Sequence, residues 1–251
     1  IIRESMENPQ HLYYIIVPEQ FTMQTQKNVV EMHPGKGILN IDVLSFQRLA
    51  YRIFEETGGA REVLLDDTGK SMVLQKLVQQ HRKNLPYLGS QMNKPGYLDE
   101  VKSLISEFMQ YDIREEELQD MLGKTGEDSL LHMKMQDVGV LYQAFLQYLE
   151  GHYMTGEGVM DALKKAIPFS DKLKKSVLLL DGFTGFTPVQ MNVIRELLNV
   201  CDKVLVTVTM DAGENPLQLG KPHQLFYMSR KMIHTLSGLT SNLDDPVLLK
   251  D

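Results

Sequence analysis

Asp181 and Asp211 are the residues of this chain best placed to do chemistry, because each follows a run of apolar residues. Val177 to Leu180, ahead of Asp181, is an unbroken apolar run of the kind that forms a strand buried on both faces of a parallel sheet. Val204 to Met210, ahead of Asp211, reads as another strand. In an open α/β sheet the carboxyl ends of the strands border the crevice where ligands bind. An apolar strand ending in aspartate is also the Walker B arrangement, whose carboxylate holds Mg²⁺ beside a nucleotide's phosphates. Asp181 is therefore the candidate Mg²⁺ ligand, and Asp181 with Asp211 the candidate nucleotide site. The same two positions equally suit aspartates that only form turns.

Other chemistries fit less well. Gly69-Lys70-Ser71 and Gly123-Lys124-Thr125 imitate the end of a phosphate-binding loop, but Leu64 and Leu118 stand where that loop needs its first glycine. The plainer expectation for the first is a capped helix start with Lys70 in solvent. Phe183 stands two residues after Asp181, where a haloacid-dehalogenase-type phosphatase places its general acid, and phenylalanine cannot donate a proton. The seven histidines show no His-x-x-x-His spacing and no pairing with Cys201. No Gly-x-Ser-x-Gly elbow occurs, so serine hydrolase chemistry has no nucleophile turn.

The elements that would position these residues follow from periodicity. Thr187, Pro188 and Gln190 form an N-cap, a first-position proline and the acceptor of a capping box, and open a helix with Val193, Ile194, Leu197 and Leu198 on its buried face. Upstream, residues 1 to 10 read as a helix tail and Leu12 to Val17 as a strand ended by Pro18. Glu19 to Met32 follows as a helix and Ile38 to Leu44 as a strand. Ser45 caps a helix that Gly58 and Gly59 end. Strand alternating with helix predicts a parallel α/β sheet. From Asp66 to Pro168 helical spacing takes over, as at Val101, Leu104, Ile105 and Phe108, with Gly89 to Gly96 as an internal loop. A helix is expected over Pro222 to Leu236. The organisation predicted is a sheet domain, 1–65 and 169–251, interrupted by an all-helical subdomain, 66–168.

At 251 residues, 43% hydrophobic and 24% charged, the chain suits a globular fold with a sizeable core. A formal charge of −7 argues against a surface built wholly for phosphate backbones, so any nucleic-acid contact must be local. The single Cys201 rules out an intrachain disulfide and a cluster held by several thiolates, and suits a reducing cytoplasm. No run approaches a transmembrane helix in length and no signal-peptide pattern opens the chain, so a cytoplasmic protein without membrane contact is expected. A start at Ile1 and an end at Asp251 without a helix stop lead us to expect an excised piece of something longer.

Four stretches, taken in order, resemble one known family. They are Ile16-Val17-Pro18-Glu19-Gln20-Phe21-Thr22, Val43-Leu44-Ser45-Phe46-Gln47-Arg48-Leu49-Ala50 with Gly58-Gly59, Leu180-Asp181-Gly182-Phe183 with Phe186-Thr187-Pro188, and Val206-Thr207-Val208-Thr209-Met210-Asp211. Together they resemble, over nearly the whole chain, the N-terminal part of AddB (RexB), the B subunit of bacterial AddAB-type ATP-dependent helicase–nucleases. The resemblance implies a superfamily-1-helicase-like fold, a RecA-like (P-loop NTPase) parallel sheet interrupted by a helical subdomain. It sets the first two stretches at helicase motifs that face single-stranded DNA, making Gln20, Phe21, Thr22, Ser45, Phe46, Gln47 and Arg48 the DNA-binding candidates. An aromatic face there stacks a base and a cation meets a phosphate. The alternative is that Phe46 packs as core and Arg48 neutralises a neighbouring carboxylate.

Asp181 falls at the Walker B aspartate, and Gly182 stands where active helicases carry the glutamate that positions water. The resemblance thus implies an inactivated helicase module that guides DNA in double-strand-break repair and recombination, partnered by an AddA-type helicase–nuclease. The Walker A loop would precede Ile1, and the nuclease domain with its iron–sulfur cluster would lie downstream. ATP, Mg²⁺ and the cluster would belong to the parent polypeptide, with no cofactor expected in this fragment. Two other classes stay open: a freestanding Mg²⁺-dependent phosphotransfer domain using Asp181 and Asp211, and an interaction module whose helical insert docks a protein.

Overall fold

Alternation of buried strands and capped helices produces the architecture of the computed structural model, which describes residues 1–59, 62–92, 94, 96–211 and 213–249. Two compact units form, Ile1–Gly59 with Met160–Asp251, and Ala60–Val159. The first unit opens with α1 (Ile2–Glu7), β1 (Leu12–Ile16), α2 (Thr22–Met32), β2 (Ile41–Leu44) and α3 (Phe46–Thr57). The second holds β3 (Val63–Leu64), α4 (Asp67–His81), α5 (Leu88–Gln91), α6 (Tyr97–Gln110), α7 (Glu115–Gly123), α8 (Leu130–Leu149) and β4 (Tyr153–Met154). Helix α9 (Gly156–Ala166) carries the chain back to the first unit, which ends with β5 (Ser176–Leu180), α10 (Pro188–Val200), β6 (Lys203–Val206) and α11 (Tyr227–Ser237).

The sheet of the first unit is four-stranded and parallel throughout, in the order β2-β1-β5-β6. Its register aligns Ile16 with both Leu44 and Leu180, and Leu180 with Val206, so the carboxyl ends of all four strands finish in one row. One face packs Tyr13, Ile15, Val43 and Val177 against Val29 of α2, with Ile1 and Ile2 alongside. Alternation turns Tyr14, Ile16, Leu178 and Leu180 to the other face, and all four are buried. There α3 and α10, which contact β2 and β6, bury Leu49, Ile53, Val193 and Leu197. Helices on both faces explain the unbroken apolar run Val177–Leu180 of the central strand β5, while the edge strand β2 carries Asp42, which pairs with Arg52 of α3 at 3.0 Å.

Caps end and begin the helices as their residues dictate. The Ser45 hydroxyl accepts from the Arg48 amide at 3.3 Å, and Gly58 closes α3 in the left-handed conformation. Thr187 and Gln190 form the full capping box of α10.

Several expectations are corrected. The strand expected over Val204 to Met210 stops at Val206, because its partner β5 ends at Leu180 and offers no further ladder. The strand expected from Ile38 begins at Ile41, and α11 runs Tyr227–Ser237 rather than Pro222 to Leu236. The segment expected to be all-helical contains β4, which pairs in parallel with β3, so Val63 and Leu64 go with the second unit, not with the sheet of the first. Its loop at Gly89 to Gly96 includes the helical residues of α5, while Asn93 and Pro95 lie outside the described residues.

The second unit has its own core, in which Leu74, Ile105, Leu118, Leu141 and Phe145 are buried together. Lys70 is not in solvent there. It is buried, with Nζ 3.0 Å from Glu157 and 3.2 Å from Ser106 Oγ, because α4, α6 and the start of α9 meet at that point. Among the described residues no helix is long and apolar enough to cross a membrane.

Candidate functional site at the carboxyl edge of the sheet

The order of the strands selects one place on the sheet. From β1 the chain moves outward to β2, and from β5 it moves outward in the opposite direction to β6. The order therefore reverses between the adjacent strands β1 and β5, and in open α/β sheets the crevice beyond the carboxyl ends at such a switch point is where ligands bind. Asp181 lies there, its amide donating to the Ile16 carbonyl at 2.9 Å. The segment Pro18–Phe21 leaves β1 beside it, and an atom in the Cβ position of Gly182 would sit 3.7 Å from Pro18 Cδ.

Asp181 is half-buried, and its carboxylate accepts a hydrogen bond from the Thr207 hydroxyl at the end of β6. Asp211 is elsewhere in role. Because β6 ends at Val206, Asp211 lies in an exposed loop, and its carboxylate accepts from the Gly213 amide at 2.8 Å. That is a local turn, the competing role for a strand-end aspartate. Among the described residues no group of three or more His, Cys, Asp or Glu side chains is arranged to hold a metal ion. Asp181, already engaged by Thr207, is the carboxylate that would hold Mg²⁺ at this edge, and an ion so held would take the rest of its shell from water and phosphate oxygens. Burial pushes the Cys201 thiol up to about 11, with Ser176 Oγ 3.6 Å away.

The seven DNA-contact candidates divide by exposure. Gln20, Phe21, Gln47 and Arg48 are exposed, with the Phe21 ring at 49%. Thr22 and Ser45 are buried and their hydroxyls are committed, Thr22 donating to the Glu19 carbonyl at 3.0 Å and Ser45 capping α3. Phe46 is buried too, its ring centroid 5.7 Å from that of Phe183 and 6.3 Å from that of Phe186. It packs as core and offers no open face for a base, and of the two candidate rings only Phe21 does. Arg48 Nε lies 3.2 Å from Glu19, with both side chains more than half exposed. Exposed pairs of this kind contribute about 0.2–1 kcal/mol, little enough for a phosphate to displace the carboxylate.

Sequence reasoning missed two parts of this edge. Phe183 and Phe186, centroids 4.9 Å apart, join Phe46 in one ring cluster that ties the loop after β5 to the start of α3. Thr207 holds Asp181. The available signal for the first was the spacing of Phe183 and Phe186 around Gly185 in an otherwise polar loop; for the second, a hydroxyl residue set one step beyond an apolar strand.

The family model described as "ADDB, N-terminal" matches residues 1–247. The chain belongs to the AddB N-terminal family. A relative from Lachnoclostridium phytofermentans, named as the B subunit of an ATP-dependent helicase/deoxyribonuclease, is 45% identical over 240 residues, covering 95% of this chain and 21% of its own length. A relative of the same name from Alkaliphilus metalliredigens is 31% identical over 253 residues, covering 100% of this chain and 22% of its own. A third, from Clostridium acetobutylicum, is 34% identical over 228 residues, with 91% and 19% covered. The AddB N-terminal chain described here thus spans about a fifth of the length of the curated relatives it matches.

Proposed function

We propose that the chain is the helicase-like N-terminal part of the B subunit of an ATP-dependent helicase/deoxyribonuclease, in which a RecA-like sheet no longer turns over ATP and serves as scaffold and single-strand guide. The observation that carries this reading is the Asp181–Gly182 step at the switch point. The strand ends in the aspartate of a Walker B element, but the next residue is glycine with φ +76°. Catalysis of nucleotide hydrolysis requires a group that orients the attacking water, and a residue without a side chain supplies none. The exposed Gln20, Phe21, Gln47 and Arg48 at the ends of β1 and β2 support the guiding role, with a ring for a base and a cation for a phosphate.

In this reading the polymer is DNA undergoing double-strand-break repair in the cytoplasm, and the partner is an AddA-type helicase–nuclease. ATP, Mg²⁺ and an iron–sulfur cluster are assigned to the parent polypeptide, with Asp181 as the residue of this chain that would meet the Mg²⁺ there. The phosphotransfer alternative needs Asp181 and Asp211 to share a cation, and it is disfavoured by Asp211 closing its own turn on Gly213.

Purified chain is expected to release no phosphate from ATP in the presence of Mg²⁺ and single-stranded DNA. It is expected to bind a fluorescent single strand at about 50 mM salt, more weakly at about 200 mM, and more weakly again with Arg48→Ala. Turnover abolished by Asp181→Asn would overturn the proposal in favour of phosphotransfer. Absence of single-strand binding at the lower salt would remove the guiding role and leave the scaffold.

A further inference from the structure

The opposite edge of the same sheet carries charge that the proposed function does not use. Residues 164–175 read KKAIPFSDKLKK, five lysines in twelve positions of a chain whose formal charge is −7. Every third residue of the following stretch is fully buried, namely Ile167, Ser170, Leu173 and Ser176. Lys165, Pro168, Phe169, Asp171, Lys172, Lys174 and Lys175 are left exposed between those anchors. The segment is also held by Glu56 of α3, whose carboxylate accepts from Ser170 Oγ at 2.6 Å, the Asp171 amide at 2.9 Å and the Lys172 amide at 3.0 Å. It is thus a rim whose backbone is held, with the Glu56 carboxylate engaged in holding it.

The sheet adds a further cation. Lys203, the first residue of β6, is paired in register with Val177 of β5, and the Asp202 amide donates to the Ser176 carbonyl at 3.1 Å. Lys174, Lys175 and Lys203 therefore lie together at the amino ends of β5 and β6. Neutralisation is sparse. Lys174 pairs with Asp171 at 2.8 Å, whereas Lys172, Lys175 and Lys203 make no ion pair among the described residues. Lys164 and Lys165 stand in the last turn of α9, where they already complement the helix dipole, so the rim rests on the other four.

We propose that this amino-edge rim is a second DNA contact, one that takes the phosphate backbone of duplex DNA without reading sequence. Lysine ammonium groups on a held backbone, three of them unpaired and Lys174 in an exposed pair with Asp171, are point charges suited to phosphates. Phe169, 74% exposed, is the one ring in the segment, and a single ring does not make the row on which successive unpaired bases stack. The five residues of β5 put the rim about 15 Å from the carboxyl edge, on the other side of the sheet. The inference takes DNA as the polymer from the function proposed above, but it uses none of that site's residues.

The test is the affinity of the purified chain for a blunt duplex as a function of salt, for wild type and for the triple variant Lys172→Gln, Lys174→Gln, Lys175→Gln. All three residues are exposed, so the variant keeps the wild-type melting temperature. The expected result is a duplex affinity lower by about tenfold or more near 50 mM salt. The slope of log affinity against log salt should become shallower by about 2 to 3, since each phosphate contact contributes about 0.9. The triple lysine-to-arginine variant restores the wild-type slope. Wild-type chain that ignores the duplex, or a glutamine variant with unchanged affinity and slope, would overturn the rim. The carboxyl-edge guide stands or falls separately, on whether single-strand binding responds to Arg48→Ala.

Discussion

Gly182 follows Asp181 at φ +76°, a backbone conformation in which an L side chain costs roughly 1–2 kcal/mol. A Cβ there would meet nothing closer than Pro18 Cδ at 3.7 Å, an ordinary contact, so the cost lies in the backbone and not in crowding. Restoring an acid at this position is therefore not a matter of one substitution. Gly182→Glu and Gly182→Ala are each expected to lower the unfolding free energy in urea by about 1 kcal/mol, and equally, because the penalty is set by φ. Neither should gain ATP turnover. A Gly182→Glu chain that hydrolysed ATP would mean the edge lacks only an acid, and the inactive-scaffold proposal would have to be withdrawn.

At the scale of elements, what was legible in the sequence is what is set by neighbours along the chain. The apolar run of β5, the cap of α3 at Ser45 and the Thr187–Gln190 box are all local, and each is found as its residues demand. What was not legible is set by distant partners. The alternating VLVTVT reads as a long strand, yet a strand extends only as far as its ladder, and β5 ends opposite Val206. The two-residue strands β3 and β4 are too short to show a period, and their pairing joins positions about ninety residues apart in sequence. Sequence leaves Phe46 open between a stacking ring and a core ring, because the Phe183 and Phe186 rings that bury it come from the far side of the helical unit in sequence.

Lys70 is the sharpest such case. Its partner Glu157 is 87 residues away, and no local pattern announces a buried ion pair. Burial pushes the Glu157 carboxyl up, but hydrogen bonds from Lys70, from its own backbone amide and from Thr155, together with the charge of Lys70, outweigh it and hold the group below its ordinary 4.5. A carboxyl depressed in the folded state stabilises the fold above its unfolded value and loses that contribution as pH falls through the depressed one. Lys70→Met leaves Glu157 charged and unpaired, and is expected to cost about 3 kcal/mol in urea unfolding at neutral pH. The deficit should shrink as pH falls, beginning above the carboxyl's ordinary 4.5, because without Lys70 burial raises the Glu157 carboxyl and its protonated form needs no partner. Adding Glu157→Leu should recover most of the loss, because an apolar pair of similar size avoids the desolvation penalty. A Lys70→Met chain as stable as wild type at pH 7 would show that the pair is not holding α4, α6 and α9 together.

For the molecule as a whole, the parallel sheet separates two surfaces by strand direction alone. Carboxyl ends gather Gln20, Phe21, Gln47 and Arg48, while the amino ends of β5 and β6 gather Lys172, Lys174, Lys175 and Lys203. A net charge of −7 leaves little general attraction for a polyanion, so binding at either surface depends on its local cations and is strongly salt-dependent. Sites about 15 Å apart with no shared partner lose affinity independently, to within about 0.5 kcal/mol. A duplex carrying a single-stranded tail offers both kinds of backbone at once. On that probe, the loss from Arg48→Ala and the loss from the three lysine-to-glutamine changes should sum in the quadruple variant when expressed as free energies. A quadruple variant no weaker than the worse of its parents would mean that DNA follows one continuous path over both edges. The sheet would then be a single binding surface, and not a barrier between a strand guide and a duplex rest.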